Sequence, residues 1–223
     1  MNSRRLILQR SVRYFFASLF WIPVAFFSLL LIKNTLPYFT FDPGFSFIEE
    51  RAALFAKSIY KYCFYTHIFA GMLCIGTALI QFSSYILKRR KKIHIISGRL
   101  YVFAVIIVGA PTGLYMSFFA KGSYWERILF MFMAVYWFYT TVKGFQTIIA
   151  KNVLAHKIWM MRSYSMAMTA VTFRVYHILF YYFQTDDMYN YQVSLWISVL
   201  GNMLVAEYLI FNKSRSYLKT FLT

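Results

Sequence analysis

The chain has 223 residues, of which 60% are hydrophobic and 22% aromatic, while only 14% are charged. Soluble domains carry about 25% charged residues, so the composition argues for a protein whose surface faces lipid. The net charge of +17 would fit a nucleic-acid binder, but the basic residues stand in short clusters between long apolar stretches. That distribution is the topology signal of a membrane protein, and it excludes nucleic acid as a partner.

Six apolar stretches are long enough to cross a bilayer as helices, since ~20 residues at about 1.5 Å per residue match a hydrocarbon core of about 30 Å. Between the first two, Ser46 and Glu49 fit a capping box, which predicts an outer surface helix over 46–61. Pro111, with a glycine two residues away on each side, predicts a kink in the third span. The predicted transmembrane helices are 14–32, 62–87, 95–120, 128–149, 158–183 and 191–211.

The basic residues predict the orientation of the chain in the membrane. Seventeen of the 24 Lys and Arg residues fall on one side of the predicted spans, six fall on the other, and Arg174 lies within the fifth span. By the positive-inside rule the richer side, here called the inner side, faces the cytoplasm. Six spans return the chain to its starting side, so both termini are predicted to be cytoplasmic. Anionic lipid is the expected partner of the inner basic loops.

Two helical hairpins have similar sequences. Each passes a glutamine near the inner side, turns through a basic loop, and returns past a histidine, an arginine and a tyrosine. The hairpins would share one membrane orientation, as parallel repeats do. We therefore predict an all-α fold in which the second to fifth spans form a four-helix core, flanked by the first and sixth. The matching residues are Gln81, His94, Arg99 and Tyr101 in the first hairpin and Gln146, His156, Arg162 and Tyr164 in the second.

The four histidines fall at two depths of the predicted core. His67 and His177 are expected near the outer ends of the second and fifth spans, and His94 and His156 at the inner ends of the third and fifth. Neutral imidazole is a common axial ligand of haem iron, so paired histidines at two depths predict haem b in each half of the membrane. A purely structural role, as polar anchors at the membrane interface, stays open for each of them. No histidine–glutamate motif favours a zinc site.

Three arginines lie close in sequence to these histidines and are candidate partners of haem propionates: Arg99, Arg162 and Arg174. Arg174 is the strongest pointer, because an arginine within a span is costly and usually functional. The same groups could instead hold a lipid or a small solute in the helix core. Glu207, the one acid within a predicted span, is expected to pair with Lys143 or Lys213 near the inner interface.

Four segments resemble an uncharacterised family of predicted bacterial membrane proteins. The resemblance covers roughly residues 60–185, and its most specific part begins at His156 and continues through Trp159 to Arg162. It implies a polytopic inner-membrane protein and supplies no activity. The segments are 67–71, 81–82, 94–102 and 156–164.

More distantly, the layout is similar to the two-haem transmembrane cytochromes b of the b561 and ferric-reductase type. That similarity implies His67, His94, His156 and His177 as haem ligands, although the inner two stand at helix starts rather than within helices. The leading hypothesis is a b-type di-haem electron-transfer protein, an oxidoreductase if it is an enzyme, with quinol as a candidate redox partner. The alternatives are a non-haem membrane protein that binds a lipid or small solute, and an accessory subunit of a membrane complex.

Overall fold

The computed structural model describes residues 22–183 and 186–221, without the side chains of residues 84 and 213–221. All regular elements in this part of the chain are helical, which confirms the all-α prediction. The helices are α1 (Ile22–Thr40, which ends in the 3₁₀ turn Leu36–Thr40), α2 (Ser46–Glu49), α3 (Ala52–Phe55), α4 (Ser58–Gln81), α5 (Ser84–Arg89), α6 (Lys91–Ser117), α7 (Tyr124–Ile149), α8 (Val153–Tyr182) and α9 (Asp187–Phe221).

Five of the described helices are long and apolar enough to cross a membrane, namely α1, α4, α6, α7 and the Asp187–Asn212 part of α9. The remaining long helix, α8, has 30 residues and is therefore about 45 Å long. It packs along both α7 and α9, and its polar residues, Arg162 and Arg174 among them, lower its hydropathy. We therefore add α8 to these five helices as a further membrane span, the fifth in chain order. The first predicted span, 14–32, is described only from residue 22.

The central cluster of buried side chains comes from α4, α6, α7 and α8, the four helices predicted to form the core. A polar network lies inside it. The Trp137 Nε1–H donates to the Tyr101 hydroxyl over 3.2 Å, and that hydroxyl lies 2.8 Å from Ser163 Oγ. Thr141 Oγ1 lies 2.6 Å from the same Ser163 oxygen. Three of the core helices are therefore joined by hydrogen bonds as well as by packing, since an unpaired polar group is costly inside a membrane protein.

The first and last spans both pack on this core, as predicted. Leu31 of α1 packs against Ile75 of α4 and Val171 of α8. The last span, α9, packs against α7 and α8 through a second apolar cluster, which contains Leu195 and Val199.

The prediction of one surface helix over 46–61 is wrong. This segment contains the two short helices α2 and α3, followed by the first turn of α4. Ser46 is the first helical residue rather than the N-cap, so the predicted capping box does not form there. The segment folds back over the outer end of α4, where Phe47 and Phe55 pack on Phe64 with ring centroids 5.3 and 5.0 Å away. Burial of these large rings outweighs the weak preference for one straight helix.

A complete capping box begins α7 instead. Ser123 Oγ accepts the Trp125 N–H at 3.2 Å, and the Glu126 carboxylate accepts the Ser123 N–H at 2.6 Å. The buried Glu126 carboxylate also accepts hydrogen bonds from Gln192 and Trp196 of α9. One acidic side chain thus starts α7 and ties it to α9 at the outer side.

The second predicted span, 62–87, is also interrupted. The helix α4 ends at Gln81, and Ser83 then caps the short helix α5 by accepting the Ile86 N–H at 3.3 Å. The Gln81 side chain donates to the His94 carbonyl and to Ser97 Oγ of α6, at 2.6 Å each. These bonds fix the inner end of α4 against α6.

The predicted irregularity near Pro111 is present, one turn before the proline. Residues Ala104–Gly109 of α6 are π-helical, and the Ala110 N–H donates to Val105 O, five residues back. Pro111 has no N–H to donate to residue 107, so the backbone there adopts a wider turn. The wider turn presents the carbonyl of Gly109 towards α4, where it meets a histidine.

Candidate functional site

His67 of α4 is fixed against the irregular turn of α6. Its Nδ1 lies 3.0 Å from the carbonyl oxygen of Gly109 and 3.2 Å from Thr112 Oγ1. A carbonyl can only accept, so Nδ1 carries the proton in this contact and Nε2 is left with a free lone pair. The ring packs so closely on Gly113 that a Cβ there would lie 2.9 Å from His67 Cε1.

His177 of α8 lies at nearly the same depth as His67. Ile75 of α4 and Val171 of α8 belong to one packed cluster, and the two helices run in opposite directions. At about 1.5 Å per residue, His67 is about 12 Å outward of Ile75 and His177 about 9 Å outward of Val171. His177 stacks on Phe173, and its buried Nδ1 has no partner among the described residues. The structure thus brings both outer histidines to one level of the bundle.

The inner histidines form a second pair. His94 is the fourth residue of α6 and His156 is the fourth residue of α8, and the two imidazoles are close enough to interact electrostatically. His156 Nδ1 lies 2.8 Å from the carbonyl oxygen of Gly144 in α7. His94 Nδ1 is buried, again without a partner among the described residues. Both rings stand in the first turn of their helices, as the sequence predicted.

The two pairs share one arrangement. In each pair one imidazole is held through Nδ1 by a glycine carbonyl of a neighbouring helix, and the other has a buried Nδ1 without a protein partner in the described structure. The first kind of histidine presents Nε2 in a fixed orientation, which is how metal-binding histidines are commonly held by their surroundings. The second kind has a polar atom that the described part of the chain does not satisfy, which is unusual in a core.

The arginines predicted to accompany the histidines differ from one another. Arg99 is exposed on α6 and makes no hydrogen bond or ion pair within the described part of the chain. The Arg162 guanidinium binds both carboxylate oxygens of Glu207, at 2.6 and 3.0 Å, and lies 4.8 Å over the Trp159 ring. Arg174 donates to its own helix, to Ala170 O at 2.7 Å. Arg162 is therefore paired with a carboxylate of the protein, whereas the other two guanidinium groups have no acidic partner among the described residues.

The expected pairing of Glu207 with Lys143 is wrong. Lys143 lies instead 5.8 Å over the ring of Tyr139, and Glu207 pairs with Arg162. Lys143 stands on α7, whereas Arg162 lies on the neighbouring helix α8. The planar guanidinium matches a carboxylate in a way that a lysine does not, so a bidentate partner one helix away is preferred.

The imidazole nitrogens of the two histidine pairs are chemically suited to bind haem iron. These nitrogens would hold a haem iron, and each pair offers one oriented and one unsatisfied ring. No group of three or more His, Cys, Asp or Glu side chains that could hold a metal ion occurs in the described residues, but a haem iron takes only two from the protein. Two surface cavities of about 510 and 620 Å³ lie at the outer side, lined by no histidine. The argument for haem at this site therefore rests on the imidazoles and not on either of these two cavities.

Sequence reasoning located the four histidines but not what holds them. The carbonyls of Gly109 and Gly144 and the close approach at Gly113 were not predicted as parts of the site. Their signal in the sequence is a glycine on the helix that faces each anchored histidine. Glycine allows close backbone approach, but it is frequent in transmembrane helices generally, so its presence alone does not indicate a site.

The fold and the half-buried imidazoles together define a class: an α-helical protein with several membrane spans and histidines at two depths of its helix bundle. A family model described as "Predicted membrane protein (DUF2306)" matches residues 64–210, and the chain belongs to that family. The predicted family resemblance is thus confirmed, and the match includes all four histidines. No curated protein and no solved structure matches the chain.

Proposed function

We propose that this membrane protein is a b-type electron-transfer protein with one haem in each half of the membrane. The observation that carries the proposal is the repeated arrangement of one carbonyl-anchored imidazole and one imidazole whose nitrogen has no partner in the described structure, at both depths. When bound, haem supplies a reversible one-electron couple between ferric and ferrous iron. If the protein is an enzyme, it is then a transmembrane oxidoreductase.

The outer pair would hold its haem between α4 and α8. The Nδ1–H of His67 is engaged by Gly109 O at 3.0 Å, so Nε2 is the nitrogen available to iron. The same hydrogen bond makes the ring a stronger electron donor and prevents it from turning. His177 would supply the opposite ligand, with its ring steadied by Phe173 at a centroid distance of 5.6 Å.

The inner pair would hold its haem between α6 and α8. His156 is oriented by Gly144 O at 2.8 Å, and His94 lies within electrostatic range of it. The 21 residues from His156 to His177 on α8 correspond to about 31 Å. Two haems at these levels would provide stations for an electron near the two membrane surfaces. Quinol is the proposed inner donor, since it dissolves in the bilayer and releases electrons there.

The orientation belongs to the same proposal. The loop with Lys88, Arg89, Arg90, Lys91 and Lys92 joins α4 to α6 next to the inner pair. Such clusters favour the cytoplasmic face and anionic lipid. We therefore place both termini in the cytoplasm and the protein in a bacterial inner membrane.

Spectroscopy of the purified protein tests the proposal. After expression with ample haem supply, the reduced-minus-oxidised spectrum should show b-type Soret and α bands. His67→Ala and His156→Ala should each remove one haem and leave the other. Thr112→Val is the matched control, because it removes a hydroxyl 3.2 Å from the His67 ring while the bond to Gly109 stays. A spectrum without haem bands from folded protein would end the proposal.

A second candidate function rests on a different observation. Arg174 lies within the predicted fifth span, and its guanidinium makes one hydrogen bond in the described structure, to Ala170 O of its own helix. A membrane protein without haem could use this group to hold a lipid or a small anionic solute. Thermal stabilisation by added lipid, measured on haem-free protein, distinguishes this function from electron transfer.

A further inference from the structure

Arg174 is a cation inside the membrane for which the described chain supplies no counter-ion. All seven acidic residues of the sequence lie in the described part of the chain, and the ion pairs there join Lys121 to Glu50 and Arg162 to Glu207. The one hydrogen bond that Arg174 makes there is to Ala170 O of its own helix, at 2.7 Å. A guanidinium has five N–H donors, so most of its donors are unused.

Arg162, on the same helix, is an arginine whose guanidinium is paired within the protein. It lies about 18 Å further inward, at about 1.5 Å per residue, and it donates hydrogen bonds to both carboxylate oxygens of Glu207 at 2.6 and 3.0 Å. An aromatic face is added by Trp159 at 4.8 Å. Arg174 has neither a carboxylate nor a ring beneath it among the described residues. An arginine at such a depth is expensive unless it is paired, so its partner must come from outside the described chain.

The surroundings of Arg174 leave room for such a partner. Ala170, one turn inward on α8, packs against the cluster of Leu31 and Ile75, so this face of α8 looks towards α1 and α4. Gly71, one turn outward of Ile75 on α4, has nothing within 4 Å of the position that a Cβ would occupy. Arg174 and Gly71 are therefore at similar depths, the Arg174 side chain is exposed, and the position beside Gly71 is open.

Two other polar side chains lie near Arg174. His177 follows one turn later, with a buried Nδ1 that lacks a partner in the described structure. Tyr38, at the outer end of α1, lies within electrostatic range of the guanidinium. One unpaired cation and one unsatisfied imidazole thus occupy adjacent turns of α8.

We infer that Arg174 binds the oxyanion of an amphiphilic molecule inserted between α1, α4 and α8. Carboxylate and phosphate both match the planar fork of a guanidinium, with two parallel hydrogen bonds. The oxyanion has two sources, a lipid phosphate or the propionate of a haem. In its haem form the inference rests on the proposed function, and in its lipid form it does not.

The test compares wild type with three variants in neutral detergent. Arg174→Gln removes the charge, and Arg174→Lys keeps the charge but loses the planar fork. Arg127→Gln removes a charge from an exposed arginine at the outer end of α7 and is the matched control. In the lipid experiment, melting temperatures of haem-free protein are measured with added phosphatidylglycerol and with phosphatidylcholine. In the haem experiment, the fraction of haem retained after gel filtration is measured.

A lipid partner predicts that phosphatidylglycerol raises the melting temperature of wild type and Arg127→Gln more than phosphatidylcholine does. This difference should disappear in Arg174→Gln and shrink in Arg174→Lys. A propionate partner predicts equal lipid responses, a several-fold loss of retained haem in Arg174→Gln, a smaller loss in Arg174→Lys and no loss in Arg127→Gln. If Arg174→Gln does not fold, Arg174→Lys decides by the same two readouts. Arg174 variants that match wild type in both experiments would overturn the inference, and protein without haem would leave its lipid form standing.

Discussion

His67 Nδ1 lies 3.0 Å from the carbonyl oxygen of Gly109, in the one π-helical segment of the described chain. The bond joins two core helices and fixes which nitrogen of the ring carries the proton. Gly113, one turn further along α6, leaves just enough space for the same ring. The irregular backbone before Pro111 therefore positions the side chain of His67.

Replacing Gly113 by alanine should disturb this position. The new Cβ would lie 2.9 Å from His67 Cε1, so the ring must move away from Gly109. We expect a loss of about 1–3 kcal/mol, the usual cost of overpacking a core, together with weaker haem retention. Gly76→Ala is the control, because its Cβ would meet nothing within 4 Å and alanine favours helix. Thermal unfolding of both variants measures the effect, and equal melting temperatures would refute it.

Removing the hydroxyl group should change the stability of the protein differently at two buried tyrosines. The Tyr101 hydroxyl accepts from Trp137 and contacts Ser163, so Tyr101→Phe leaves buried donors unpaired. We expect it to cost about 1–3 kcal/mol. The Tyr164 hydroxyl is buried without a partner among the described residues, so Tyr164→Phe should be neutral or stabilising. Melting temperatures decide, and a Tyr164→Phe variant as unstable as Tyr101→Phe would contradict the described network.

The ion pair between Arg162 and Glu207 should stabilise the contact of α8 with α9. Because Glu207 is half exposed, the expected loss in Glu207→Gln is about 1 kcal/mol. Glu50→Gln, which breaks the exposed pair with Lys121 at 3.6 Å, should have a smaller effect. A double-mutant cycle with Arg162→Gln isolates the pair energy. Additive losses in that cycle would show that the two side chains do not stabilise one another.

Much of the fold follows from patterns that the sequence displays directly. Long apolar stretches predict the spans, and residue spacing places His156 and His177 about 31 Å apart on one helix. The depth of a side chain along a helix can be read in this way because the rise per residue is constant. The four-helix core also follows, since the two similar hairpins occupy it.

The contacts that complete the site depend on geometry around the helix axes. The π-helical turn before Pro111 changes which carbonyl faces α4, and no periodicity reveals its position. The partner of Glu207 is 45 residues away in sequence and was wrongly predicted to be a lysine. At the outer side, the capping box pattern occurs at both Ser46 and Ser123, and only the latter forms. Tertiary packing of aromatic rings decided between them.

The ratio of haem to protein tests the central claim most directly. The purified protein is converted to the pyridine haemochrome, haem is quantified from its spectrum, and protein is determined by amino-acid analysis. We predict two b-type haems per chain, falling to one in His67→Ala and in His156→Ala. A folded, monodisperse wild-type protein that contains no haem after expression with excess haem precursor would contradict the proposed electron-transfer function.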